Sequence, residues 1–126
     1  MILDSNVIIY AIRPEYRNLR NYLEENRLSL HVSAISLLEA LGYHRLTISE
    51  EVEFKGLFDT VVIIPVDSIV ITEAIRLRQQ RKRSLGDSII AATGLLYNLP
   101  VLTNNVADFS DINGLQVIAL ADVLSA

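Results

Sequence analysis

Four acidic residues stand in separate parts of the chain: Asp4 closes the first apolar run, Glu39 lies in the helix-like segment after the second, Asp87 opens a helix-like segment just after Gly86, and Asp108 follows the fourth apolar run by five residues. Carboxylates brought to one place without cations repel and raise one another's pKa values, so a cluster of this kind is expected to hold a hard divalent metal ion. Each acid also has a local structural reading. Asp87 can complement the N-terminal dipole of a helix, Asp4 can cap the turn after a strand, and Asp108 can make an Asx turn in ADFSD. Glu39 follows Ser36 by three residues, the S-x-x-E spacing of a capping box. The joint pattern, not any single acid, points to a site.

The acids need a scaffold that brings them together. Short apolar runs rich in Val, Ile and Leu at 1–4, 30–33, 61–66, 100–103 and 116–120 lack clear alternation, the pattern of strands buried on both faces. Helix-like segments occupy 15–26, 34–46, 48–58, 67–82 and 87–98, several introduced by Ser, Thr or Asp. Strands alternating with helices predict parallel pairing through right-handed crossovers, and open sheets of that type bind ligands at the carboxyl ends of their strands, where strand order reverses. With no repeat, low-complexity tract or linker, the 126 residues predict one α/β domain spanning 1–126.

Composition removes other chemistries. A chain of this length buries roughly two-thirds of its unfolded surface and needs no staple. The absence of cysteine excludes disulfide scaffolds, thiolate zinc sites and cysteine nucleophiles. The N-terminal MILDSNVIIYAI lacks a basic leader and a cleavage site, and acids interrupt every apolar block before it reaches the roughly 18 residues of a membrane span. A cytoplasmic protein without membrane association is the expectation. There is no G-x-S-x-G, G-x-x-x-x-G-K-[ST] or G-x-G-x-x-G, so Ser84 and Ser88 read as caps or turn residues. His31 and His44 lie apart and read as structural. The apolar residues Leu37, Leu38, Leu41, Tyr43 and Leu46 read mainly as core, with some left to face a partner.

Four stretches, LDSNVIIY at 3–10, SAISLLEAL at 33–41, LGDSIIAATG at 85–94 and VLTNNVADFSDINGLQVI at 101–118, resemble the PIN-domain family, and within it the small VapC-type toxin ribonucleases of toxin-antitoxin pairs. The resemblance covers essentially the whole chain. It implies a three-layer α/β/α sandwich on a mainly parallel sheet of about five short strands, in agreement with the periodicity. It places the family's acidic quartet on Asp4, Glu39, Asp87 and Asp108, with Asp4, Asp87 and Asp108 as metal ligands and Glu39 as a ligand or water-orienting base. Asn6, Thr103 and Asn105 are implied as polar supports. Asn104 departs from the pattern, since relatives often carry a basic residue there. The activity implied is hydrolysis of RNA phosphodiesters with Mg2+ or Mn2+, by a homodimer paired with a VapB-type antitoxin whose tail covers the active-site groove.

The net charge of −4 by itself opposes a polyanionic substrate. Setting aside the four site acids leaves 11 acidic against 11 basic residues, however, and five of those basic residues, Arg76, Arg78, Arg81, Lys82 and Arg83, form one run at 76–83. They are the RNA-binding candidates, and contacts of that type make affinity fall with salt. The competing reading is a solvated helix end whose cations complement the C-terminal dipole. Among rival functions, an aspartate-dependent phosphatase wants a second Asp two residues after the first, where Asn6 stands. A phosphoacceptor receiver wants a lysine at a strand end, and neither Lys55 nor Lys82 follows a strand. A non-catalytic PIN-like module that binds RNA or protein is the alternative from another class.

Overall fold

The computed structural model describes residues 1–125 and contains five strands, β1 (Ile2–Leu3), β2 (His31–Ser33), β3 (Val62–Ile64), β4 (Val101–Thr103) and β5 (Val117–Ala119). All pair in parallel, in the order β3-β2-β1-β4-β5, with Leu3 opposite Leu102 and Val32 opposite Ile63. The chain builds the sheet outward from β1 to β3 and then crosses to the other side of β1 for β4, so strand order reverses between β1 and β4.

The helices are α1 (Ser5–Ala11), α2 (Arg17–Glu25), α3 (Ala34–Leu41), α4 (Ile48–Phe58), α5 (Ser68–Gln80), α6 (Leu85–Tyr97) and α7 (Leu120–Leu124). Side-chain alternation along the strands sorts them into layers. Leu3, Val32 and Leu102 point to one face and are covered by Val7, Leu19, Ala40, Phe54 and Leu120 from α1, α2, α3, α4 and α7. Ile2 and Val101 point to the other face, beneath Val70, Ala74 and Leu77 of α5 and Ile89 to Ala92 of α6. The expected three-layer sandwich is therefore present, and its sheet is wholly parallel.

Boundaries follow local chemistry. The strand read to residue 66 stops at Ile64, before Pro65 removes a backbone donor. The helix read as 34–46 ends at Leu41, because Gly42 closes it with its N–H on the Leu38 carbonyl at 2.9 Å. A Cβ at Gly42 would sit 2.3 Å from that carbonyl oxygen, so only glycine permits this closure. Asp67 caps α5 by accepting from the Val70 N–H at 3.0 Å, and Asn98 in the left-handed conformation (φ 53°) ends α6. Leu37, Leu41 and Leu46 pack against the core as read, whereas Leu38 and Tyr43 stand exposed. Among the described residues no helix is long and apolar enough to cross a membrane.

Candidate active site

The site lies where β1 and β4 end side by side. Asp4 follows β1, and its N–H donates to the Leu102 carbonyl at 2.9 Å, which seats it beside the last residue of β4. That residue, Thr103, is fully buried and donates its hydroxyl to Asp4 Oδ2 at 2.7 Å. The Asn105 N–H in turn donates to Thr103 Oγ1 at 3.0 Å. Asp4 occupies the N-cap position of α1 but makes no side-chain cap, so its carboxylate is directed to Thr103 instead. Burial raises the Asp4 pKa above the usual carboxylate range; the Thr103 hydroxyl and the Ser5 backbone oppose this, and the charges of Glu39 and Asp108 add to it.

Glu39 reaches the same edge from α3. The capping box is not formed: Ser33 caps α3, accepting from the Ile35 N–H at 3.2 Å. Glu39 Oε1 accepts from Ser5 Oγ at 2.9 Å, and Ser5 Oγ lies 2.9 Å from the buried Ser36 Oγ, so Ser36 supplies its proton to Ser5 when Ser5 donates to Glu39. Ser5 and Ser36 were not among the expected site residues. The signal was present in the middle residue of D-S-N and in the S-x-x-E spacing, which here places Ser36 and Glu39 on one face of α3 toward Ser5 rather than at a helix start.

Asp87 is carried in by the first turn of α6. Ser84 caps that helix, its Oγ accepting from the Asp87 N–H at 3.1 Å, and Ser88 Oγ donates to the Leu85 carbonyl, as their reading as caps or turn residues required. Gly86 lets α6 approach α3, since a Cβ there would lie 2.7 Å from Glu39 Oε1. The Asp87 pKa is pushed up to about 6, by burial first and then by the charges of Asp4 and Asp108, with Ser84 partly opposing. Asp108 closes a short 3-10 turn, Val106–Asp108, after β4. Four carboxylates from four chain segments thus share one electrostatic environment.

The donor set is one of hard oxygen atoms, which fits Mg2+ or Mn2+ and not a thiophilic metal. The raised pKa values of Asp4 and Asp87, from burial first and then from neighbouring carboxylates, are what a cation placed among these groups would relieve. Among the described residues, no three acidic or histidine side chains are gathered closely enough to enclose an ion as they stand. The acids line an edge rather than a closed cage.

Beside them is an open cleft of about 250 Å³ lined by Arg81, Lys82, Arg83, Ser84, Asp87 and Asp108. Of the five basic candidates, the exposed Arg81 and Lys82 border this cleft next to the acids. Arg76 lies a turn and a half earlier on α5 and pairs with Glu73, and Arg78 donates to the Arg83 carbonyl at 3.3 Å. Arg83 is withdrawn from solvent into a bidentate pair with Asp111 at 2.8 and 3.2 Å, so its place in the run corresponds to a structural tie rather than an open phosphate contact. Of the polar supports, Thr103 contacts Asp4 directly and Asn105 acts through its backbone, while the Asn6 side chain is exposed on α1. Asn104 donates to the Tyr10 hydroxyl at 3.4 Å. A larger groove of about 400 Å³ runs past Glu39 between α1, α3 and α4, lined by Ile9, Ile12, Tyr43, Leu46 and Phe54.

A three-layer sandwich on a wholly parallel sheet, with acids collected at the reversal of strand order, defines the class as an α/β protein with a carboxylate site at the topological switch point. The PIN domain model matches residues 1–115, and the chain belongs to the PIN-domain family. Toxin-antitoxin complexes are among its structural neighbours. A toxin-antitoxin complex from Klebsiella pneumoniae aligns with TM-score 0.74 at 28% identity, over 94% of this chain and 95% of that one. DNA-bound VapBC from Salmonella typhimurium aligns with TM-score 0.82 at 20% identity over 94% and 96% of the two chains. FitAcB from Neisseria gonorrhoeae aligns with TM-score 0.74 at 22% identity over 93% and 95%, and these last two are alike in fold alone. No curated protein sequence matches the chain.

Proposed function

We propose that the chain is a VapC-like toxin, a divalent-metal-dependent endoribonuclease that hydrolyses RNA phosphodiesters. The observation that carries this reading is the shared environment of Asp4, Glu39, Asp87 and Asp108, in which Asp87 is pushed up to about 6. Protein carboxylates collected in this way repel one another unless a cation joins them. Asp4, Asp87 and Asp108 would hold Mg2+ or Mn2+, and Glu39 would serve as a further ligand or take a proton from the attacking water. The ion, when bound, supplies charge neutralisation at the phosphate and a lowered pKa for water.

The chain's own residues then orient and select. Thr103 fixes Asp4, Ser5 fixes Glu39, and Arg81 and Lys82 border the cleft through which a phosphate backbone would pass. The open shape of that cleft suits an extended polymer better than a small enclosed ligand. The toxin-antitoxin complex among the structural neighbours supports a VapB-type antitoxin as partner, and a homodimer acting in the cytoplasm completes this reading.

The test is cleavage of a mixed-sequence RNA by the wild type, Asp4→Asn and Asp87→Asn, with Mg2+, Mn2+ or chelator, and with DNA of the same sequence in parallel. Metal-dependent RNA cleavage lost in both variants is expected. Cleavage that survives both substitutions would overturn the assignment. One observation favours a binding-only module, namely that the acids do not enclose an ion as they stand; RNA retained without cleavage at any metal concentration is its outcome in the same assay.

A further inference from the structure

Arg83 is the one strongly buried cation among the described residues, its side chain only 2% exposed. Removing a guanidinium from water is costly unless its donors are matched. Here the matching partners come from two separate segments. Nε donates to the Leu77 carbonyl of α5 at 3.0 Å. Nη1 and Nη2 donate to the two carboxylate oxygens of Asp111 at 3.2 and 2.8 Å, and Nη1 lies 3.5 Å from the Asp108 carbonyl. Asp111 also receives Arg81 at 3.3 Å, which makes it the anion of a two-arginine pair.

The position of this clamp in the chain gives it a role. Arg83 directly precedes Ser84, the cap of α6, whose third residue is Asp87. The segment it grips through Asp111 and the Asp108 carbonyl is the one that carries Asp108. After β4 ends at Thr103 that segment has only a single 3-10 turn with Asn104 to Ala107 exposed; Phe109 and Ile112 bury its following residues in the core, and Arg83 adds the polar tie at Asp108 itself. A planar fork that donates in several directions at once can provide this tie, and a lysine cannot.

We infer that Arg83, held by Asp111, is a positioning residue that fixes Asp108 against Asp87 and so sets the spacing of two of the site carboxylates. This rests on the nuclease reading above. Arg83 touches neither substrate nor metal; it acts through the backbone of Asp108.

The experiment uses the full chain with Asp111→Asn, which keeps the shape and one acceptor, and Arg83→Met, which removes the charge together with its need for a partner. Measured are kcat and KM for RNA, Mn2+ binding by calorimetry without RNA, and hydrogen exchange at the Asp108 and Phe109 amides, at a temperature where circular dichroism shows folded protein. Expected in both variants are a kcat at least tenfold lower, a Mn2+ dissociation constant raised severalfold, and faster exchange at the two amides. In Arg83→Met KM should stay within about twofold, because Arg81 and Lys82 are untouched; Asp111→Asn also releases Arg81 and is read on kcat, Mn2+ affinity and exchange. A lower Tm with wild-type kcat and Mn2+ affinity would overturn the inference and leave Arg83 a purely structural residue. If Arg83→Met does not fold, Asp111→Asn decides alone, its side chain being 38% exposed in the parent. Asp4→Asn and Asp87→Asn run alongside separate the two levels: cleavage that survives both substitutions removes the nuclease reading and the inference with it, whereas loss of cleavage in both beside fully active clamp variants removes the inference only.

Discussion

The Thr103 hydroxyl donates to Asp4 Oδ2 at 2.7 Å and thereby joins the ends of the two central strands across the reversal of strand order. The donor is fully buried and the carboxylate nearly so, and residues 99 apart in sequence meet through this bond. Thr103→Val keeps the shape and removes the donor, leaving a buried acceptor short of a partner at a cost of about 1–3 kcal/mol. The same change takes away an interaction that lowers the Asp4 pKa. The expected result is a destabilised protein with weaker metal affinity, restored by Thr103→Ser; chemical denaturation and calorimetry check it.

Asp87 gives a pH dependence of defined sign. Its folded pKa of about 6 lies above the ordinary value of 3.8, so between those values the folded state binds more protons than the unfolded one. Its contribution to stability is therefore fully present below about pH 4 and is lost as pH rises through 6. With solvent screening of a partly exposed group, the effect is on the order of 1 kcal/mol. Relative to wild type, Asp87→Asn should gain about 3–5 °C in Tm between pH 4 and pH 7 without metal. A constant Tm difference across that range would remove the repulsion argument.

Metal binding should be visible without any substrate. At an ion concentration ten times its dissociation constant, a site present only in the folded state adds about 1.4 kcal/mol. Mn2+ or Mg2+ is expected to raise the Tm of the wild type by several degrees and to leave Asp87→Asn nearly unchanged. Thermal melts with and without chelator measure this directly.

Gly86→Ala should separate activity from stability. The new Cβ would lie 2.7 Å from Glu39 Oε1, at the far end of a flexible side chain that can swing aside. Alanine is also the better helix former, by up to about 1 kcal/mol in a helix interior. The variant is expected to fold with unchanged or higher Tm and to lose RNA cleavage as Glu39 leaves its place at Ser5. Unaltered cleavage would show that Glu39 is not needed where the structure puts it.

The basic run should divide in two when RNA affinity is titrated against salt. Lys82→Gln is expected to reduce the slope of log affinity against log salt by about 0.7, the value for one single-strand phosphate contact. Arg76→Gln, which breaks only an exposed pair with Glu73, should leave the slope unchanged. Filter binding with the inactive Asp87→Asn protein provides the measurement.

Much of the architecture was legible in the residues because the strands are buried on both faces. Val, Ile and Leu therefore appear as unbroken runs, and all five runs became strands within two residues of the expected ends. The helices were marked by caps such as Asp67 and Ser84, which act locally and so leave a local signature. Helix α1 was not legible. The Val7-Ile8-Ile9 run has the composition of a strand, and it forms a helix because Asp4 is held at the end of β1 and Val7 and Ile8 pack into the core. The short α7 was missed as well, since its five residues depend on contacts with α2 and β5.

The sequence by itself determined the α/β class, the number of strands and the acids worth examining, because burial on two faces, capping and charge are written in residue type and near-neighbour spacing. It also indicated a basic run, but not which cations remain open. Tertiary structure alone decided that Glu39 leaves its expected capping box for Ser5, that Thr103 is the partner of Asp4, and that Arg83 turns inward to Asp111 while Arg81 and Lys82 border the cleft. These outcomes depend on residues 28 to 99 positions apart meeting in the fold. Which polar partner wins there is set by the order of strands in the sheet and by the need to match every buried charge, and neither is encoded in any local pattern.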